Sequence, residues 1–211
     1  RFTMKVYRDC FEVGFQDPAH IGLYRGTYAT NIFVSSKDVD LKEVRKITLN
    51  QPGCIDSLPK LCLEEATYVW EQTLDVSNQS YFIIHQVCCR TGSITNILNP
   101  VKTGTTYYVE LTPKAQQVCN SGPSFNNFPP ALVCNNYPLE VDYSAKDKDG
   151  DQLVYHFCAP YSGGGQNSFG GCNASAPNPP CAPPFTEVSF AVPTYTPEQP
   201  MGGNPVVQIN A

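Results

Sequence analysis

"YFIIHQVCCRTGSITNILNPVKTGTTYYVELT" occupies residues 81–112. Its two ends, "YFIIHQV" and "TTYYVELT", are dense in β-branched and aromatic residues, a composition that fits a pleated, half-buried surface. The "NILNPVKTG" between them supplies turn residues. The same texture extends outward. "FTMKVYR" (2–8) alternates so that Phe2, Met4 and Val6 share one face. "ATYVWEQTLDV" (66–76) is β-branched and aromatic and holds the only tryptophan, Trp70. "VRKITLN" (44–50) is a weaker strand, because Val44 and Ile47 fall out of phase. No stretch combines a helical period with caps. Short strands at fairly regular spacing predict an all-β chain of sandwich type.

Near residue 112 the composition changes. "PKAQQVCNSGPSFNNFPPALVCNNYP" (113–138) is rich in Pro, Asn and Cys, and the cysteines that bracket it imply a stiff connector. A second strand series follows in "LEVDYSA", "QLVYHF", "FTEVSFAV" and "PVVQIN". A Gly/Pro-rich loop, "APYSGGGQNSFGGCNASAPNPPCAPP", interrupts it. This pattern predicts two immunoglobulin-like β-sandwich modules, 1–115 and 135–211, joined by a connector at 116–134. The second module lacks its last strands. The halves share no internal repeat.

The chain has 211 residues, enough for a sizeable core. Net charge is -5 and the cations are scattered, which argues against a nucleic-acid partner, since a phosphate-binding face needs clustered positive charge. No apolar run approaches the roughly 20 residues that span a bilayer. The sequence opens inside a strand pattern at Arg1 and closes inside another, and so reads as a processed or excised piece of a longer chain.

Ten cysteines in a Gly/Pro-rich acidic chain indicate disulfides and an oxidising, extracytoplasmic setting. They are Cys10, Cys54, Cys62, Cys88, Cys89, Cys119, Cys134, Cys158, Cys172 and Cys181. Connectivity stays open at this level. Short loops favour Cys54–Cys62, Cys119–Cys134 and Cys172–Cys181. Adjacent residues of an extended segment point to opposite faces, so Cys88 and Cys89 are expected to bridge to different partners.

"AKDKDGDQLVYHF" (145–157) sets Asp147, Asp149 and Asp151 at alternate positions around Gly150. Calcium takes six to eight hard oxygens, and alternate carboxylates in a tight loop can converge on it. Asp142 or Glu140 could add ligands. The glycine is fourth, not sixth, and position twelve is Cys158, so this is no EF-hand. The competing reading is a solvated turn before a strand.

Enzyme signatures are missing from the sequence. There is no H-E-x-x-H and no G-x-S-x-G. His20, His85 and His156 lie far apart and read as structural or surface histidines. Glu64 and Glu65 are adjacent, so their side chains diverge on a strand, which is poor geometry for a two-carboxylate hydrolase. Most of the 12 Tyr and 11 Phe are expected in cores. Some Tyr could line a sugar- or protein-binding face.

"VYRDC" (6–10), "CLEEATYVW" (62–70), "VCCRTGSITNI" (87–97), "GTTYYVEL" (104–111), "CNSGPSFNNFPPALVCNN" (119–136), "DYSAKDKDGDQLVYHFCAP" (142–160) and "PMGGNPVVQIN" (200–210) occur in this order. Together they resemble the conserved region of large secreted surface proteins of Bacteroidota. Those proteins carry PKD-like or cadherin-like immunoglobulin-type repeats and end in a gliding-motility-associated C-terminal domain, the export signal of type IX secretion. The resemblance spans nearly the whole chain. It departs at Thr91 and Gly122, where the family typically has Asn and Ser.

The resemblance implies a non-catalytic adhesin or filament subunit at the cell surface, acting in attachment or gliding. Its partners would be neighbouring domains or subunits of the same surface assembly, with surface glycans as a further class. It strengthens the calcium reading for Asp147, Asp149 and Asp151, since cadherin-like repeats carry similar loops that rigidify domain junctions. An internal Arg8–Asp9 ion pair is expected in the first module. At the level of the phylum, "DSL" (56–58) resembles an O-glycosylation triplet with Ser57 as acceptor. Asn78 and Asn173 fit the eukaryotic N-glycan pattern and would be unmodified in a bacterium. The alternative function is a carbohydrate-binding or accessory module of a secreted glycan-degrading enzyme.

Overall fold

The computed structural model describes residues 1–11, 14–48, 52–54, 56, 61–134, 137–166, 171–191, 195–201 and 207–209. Its strands are β1 (Phe2–Asp9), β2 (Ala19–Gly26), β3 (Asn31–Val39), β4 (Leu41–Ile47), β5 (Leu63–Trp70), β6 (Ser80–Val87), β7 (Thr105–Leu111), β8 (Ser124–Phe125) and β9 (Ala145–Lys146). One short helix, α1 (Pro113–Val118), follows β7. The all-β class predicted from alternation is the class observed.

The compact units do not follow the linear division at 115–135. Unit 1 gathers residues 1–18, 39–74 and 119–153; unit 2 gathers 19–38, 75–118 and 154–211. The cause is strand partnership. β1 pairs with β5 from Phe2↔Trp70 to Asp9↔Leu63, and β2 pairs with β6. Neither is a local hairpin, so each unit is assembled from distant segments.

In unit 1 the sheet order is β1-β5-β4, fully antiparallel. Phe2, Met4 and Val6 are half-buried while Thr3, Lys5 and Tyr7 are exposed, as the period of two requires. Phe2 stacks on Trp70 across the strand pair, with ring centroids 5.3 Å apart. Tyr68 is fully buried and its hydroxyl donates to the Gln16 carbonyl at 2.6 Å. β4 is mostly exposed, in keeping with its poor phase. The segment after residue 119 adds only the short β8–β9 pair and packs Phe128 on Tyr7 at 4.9 Å.

In unit 2 the order is β3-β2-β6-β7. β2 and β6 are buried on both faces. Tyr24, Phe82 and Ile84 form a core cluster on one face, joined by Tyr28, Ala182 and Phe185. The Pro-rich loop expected as an interruption is the layer that covers this face. Pro177 and Pro180 are fully buried, and the Pro180 carbonyl accepts from Tyr24 Oη at 2.7 Å. The Cys181 N–H donates to Gln86 Oε1 at 2.7 Å. Proline lacks an N–H, so such a loop can be buried with fewer donors to satisfy. Strands expected at 139–144 and 152–157 are irregular, and the 185–191 segment forms no named strand: it makes the isolated bridges Tyr161↔Glu187 and Ile97↔Phe190 and further backbone bonds to residues 96–98 and 160–162. The alternation there is real, but the backbone of 186–191 bonds to loop residues outside the strands, and Phe185 alone packs on the core cluster of the sheet.

A second clasp lies at the end of β7. Gln86 Nε2 donates to Thr106 Oγ1 at 2.9 Å, and Thr106 Oγ1 donates to the Ser162 carbonyl at 2.7 Å. Gly163 presses on both side chains. A Cβ there would come within 2.8 Å of Gln86 Nε2 and closer still to Thr106 Oγ1. Gly163→Ala is therefore expected to cost about 1–3 kcal/mol through overpacking, read as a lowered thermal midpoint. An unchanged midpoint would mean the clasp gives way freely.

Candidate functional site

The three aspartates lie in an exposed loop of unit 1 after β9. Gly150 has φ +83°, a left-handed conformation that favours glycine. Asp147 Oδ1 accepts the backbone N–H of Asp149 at 2.8 Å and of Asp151 at 3.2 Å. Asp149 Oδ2 accepts the Ser121 N–H at 2.5 Å. Asp147 thus already serves the loop's own backbone, the local reason Asp is favoured in turns, and Asp149 serves the backbone of a distant segment. The three carboxylates do not all come within 4.8 Å of one another. The donor type suits calcium; the arrangement does not, and a cation would have to draw the loop together. Asp142 likewise caps its own turn, accepting from the Ser144 N–H at 2.8 Å and from Asn127 Nδ2 at 2.7 Å.

Among the described residues, the one grouping with metal-ligand proximity is Cys10, Cys62 and Glu64. Its two sulfurs are joined to each other and offer no thiolate.

Two of the three short-loop pairings, Cys54–Cys62 and Cys119–Cys134, do not form, and Cys88 and Cys89 do not bridge to different partners. Cys10 pairs with Cys62, Cys54 with Cys134, Cys88 with its neighbour Cys89, and Cys172 with Cys181. Only the last matches. Cys54–Cys62 gives way because β1–β5 pairing brings Cys10 beside Cys62, the Cys10 N–H donating to the Cys62 carbonyl at 3.0 Å. Cys88 and Cys89 do not point to opposite faces, because β6 ends at Val87 and the pleat ends with it. Cys119 and Cys158 are exposed free thiols.

The adjacent glutamates do diverge, and each finds its own partners. Glu64 pairs with Arg8 at 2.8 Å, and Arg8 also lies over the Phe15 ring at 4.5 Å. The expected Arg8–Asp9 pair is replaced, since Asp9 turns back to accept the Phe11 N–H at 2.9 Å. Glu65 is buried in the central strand. Across β1 it accepts from Tyr7 Oη at 2.8 Å; across β4 it accepts from Arg45 Nε at 2.7 Å; Lys5 Nζ lies 3.3 Å away. The Arg45 hydrogen bond is the main reason the Glu65 carboxyl is held down at about 2, against the opposing effect of burial. Burial, and then the bond to Glu65, push Tyr7 up to about 12. Three strands are tied by one carboxylate, a structural role.

The histidines differ. His20 Nδ1 lies 2.6 Å from Asp38 Oδ1, with Asn178 Nδ2 at 3.1 Å. His85 is buried, its Nδ1 3.0 Å from the His20 carbonyl and its ring stacked on Tyr107. Desolvation lowers its pKa. His156 is exposed.

Unit 2 carries an aromatic cluster at its surface. Tyr108, Tyr161 and Tyr28 surround Phe185 with centroid separations of 5.1 Å, 5.6 Å and 5.8 Å. The hydrogen bond with Tyr28 is the first cause that pushes Tyr161 up to about 12. The sequence could not locate this cluster, because four residues from four segments form it. Ser57 lies outside the described residues. No helix among the described residues is long and apolar enough to cross a membrane. Compared with family models, curated proteins and solved structures, the chain matches none.

Proposed function

We propose that this chain is a non-catalytic, extracellular structural or adhesive module of a bacterial cell-surface protein or filament, held among neighbouring domains or subunits of the same assembly. The observation that supports it is the disulfide arrangement of unit 1. Cys10–Cys62 joins the first segment to the second, and Cys54–Cys134 joins the second to the third. A unit whose every segment is cross-linked keeps its shape where dilution and shear act on it and where disulfides persist. The test is an antibody to the chain applied to intact producing cells, before and after protease treatment of the surface. Surface label removed by protease supports the reading; label seen only in lysed cells sinks it.

Calcium at Asp147, Asp149 and Asp151 belongs to this proposal as a second-stage event. Its expected signature is a thermal midpoint raised by several degrees over the chelated protein, reduced in Asp149→Asn. An identical midpoint with and without calcium leaves the loop as an Asx-type turn.

The carbohydrate-binding alternative is favoured by one observation, the Tyr28, Tyr108, Tyr161 and Phe185 cluster, since grouped rings bearing hydroxyls suit sugar faces. A glycan array decides it. A hit lost in Tyr108→Ala supports this reading, and a blank array removes it.

A further inference from the structure

Arg90 is a half-buried cation, and no carboxylate among the described residues pairs with it. It follows Cys89, and its N–H donates to the Thr103 carbonyl at 3.1 Å. Its Nη2 donates to the Tyr161 carbonyl at 3.2 Å, and its Nε is buried with no hydrogen-bond partner. The ion pairs among the described residues engage Lys5, Arg8, His20 and Arg45, none with Arg90. Desolvation lowers its pKa.

The same side chain forms one wall of an open pocket of about 270 Å³. Most of the rest is apolar, including Ile94, Ile97, Phe157, Val188 and Phe190. Asn96 also lines it, but its Nδ2 is already committed to the Pro200 carbonyl at 2.8 Å. The walls rest on backbone bonds: Leu98 N–H to Ser189 at 2.8 Å, Ala191 N–H to Asn96 at 3.0 Å and Val188 N–H to Pro160 at 2.9 Å. The pocket is therefore preformed. A partly dehydrated guanidinium is costly until an anion meets it. An apolar wall favours a ligand with an apolar body.

We propose that the Arg90 pocket of unit 2 binds a small amphipathic anion: a carboxylate, reached by the guanidinium, on an apolar body of roughly a dozen non-hydrogen atoms. This goes beyond the surface-module reading and does not depend on it. The apolar body lies against Ile97, Val188 and Phe190. The carboxylate accepts from the Arg90 Nη groups at the mouth. Affinity is modest, about millimolar, because the pocket is open and the ligand small.

Cys158 lines the pocket as a free thiol, which gives a local readout, and Cys119 is the internal control. The oxidised 211-residue chain is labelled with iodoacetamide in the presence of 4-phenylbutyrate or its neutral analogue 4-phenylbutanol. The acid is expected to slow labelling of Cys158 several-fold and leave Cys119 unchanged. The alcohol should need about tenfold higher concentration for the same protection, the worth of one charge-assisted hydrogen bond. Arg90→Gln should erase that difference. Equal protection by acid and alcohol, or none by the acid at about 10 mM, overturns the proposal. If Arg90→Gln fails to fold, the comparison on the parent still decides. Ile94→Trp, which narrows the pocket and keeps Arg90, should then abolish protection; protection that persists counts against the site.

Discussion

Replacing Cys10 and Cys62 together by serine is expected to lower the stability of unit 1 by about 4 kcal/mol, the loop-closure value for residues 52 apart. Removing Cys54–Cys134, 80 residues apart, should cost a similar amount. The reason is topological. β1 reaches β5 only by closing a long excursion, and the segment beyond 119 contributes a two-strand ribbon and a few ring contacts. A free unit of this kind returns much entropy to the unfolded chain. Cys172–Cys181 closes only nine residues and should matter less, about 2–3 kcal/mol. Trp70 sits in β5 and stacks on Phe2, so its fluorescence follows unit 1. Chemical denaturation of the Cys10→Ser/Cys62→Ser chain, followed at Trp70, should show a midpoint far below the parent's. A midpoint within error of the parent's would refute the entropic account.

Acid should then find Glu65. Its carboxyl titrates at about 2 in the folded chain against 4.5 ordinarily, chiefly through Arg45. A depressed carboxylate stabilises the fold above its unfolded value and loses that contribution as pH falls towards the folded one. The window is therefore from about pH 5 down to about pH 2. The full difference corresponds to about 3 kcal/mol. Arg45 and Lys5 are 60% and 47% exposed, so water screens part of the attraction, and about 2 kcal/mol is the expected loss. Glu65→Gln should flatten this limb in a Trp70-monitored pH titration and lower neutral-pH stability by about 2 kcal/mol. A limb of unchanged depth in Glu65→Gln would assign the acid sensitivity elsewhere. His85 acts earlier. Burial depresses its pKa, so its contribution is intact above the ordinary histidine value of about 6.5 and fades as pH drops below it. His85→Gln should soften that upper part of the profile when followed by a probe in unit 2.

What alternation could reveal was the strand, not its partner. Phe2, Met4 and Val6 announced β1, and the 81–87 and 105–112 runs announced β6 and β7. β2 escaped notice because "AHIGLYRG" is buried on both faces, which removes the period of two. Short-loop logic failed for Cys54 because a disulfide follows sheet register, and register between β1 and β5 is a long-range fact. The second strand series misled for the opposite reason. "FTEVSFAV" alternates, yet Phe185 joins the core of a sheet already made and 186–191 bond to the loops at 96–98 and 160–162. At the sites, the aspartate loop was legible as a turn from Asp and Gly alone. The Glu65 hub was half legible: divergence of Glu64 and Glu65 follows from the strand, but Tyr7 and Arg45 needed the register. Arg90 left one sequence signal, a cation in the apolar "VCCRTGSITNI" block with no acid nearby.

The weave of unit 1 also governs the order in which it can be made. A chain that emerges amino end first presents Cys10 and Cys54 before either native partner appears. The earliest bond open between these cysteines is the wrong one. Cys62 must arrive to claim Cys10, while Cys54 stays a thiol through all of β6 and β7 until Cys134 comes out. Assembly of this unit is thus a matter of patience as much as affinity, and a thiol–disulfide exchange catalyst at the point of emergence would decide its yield.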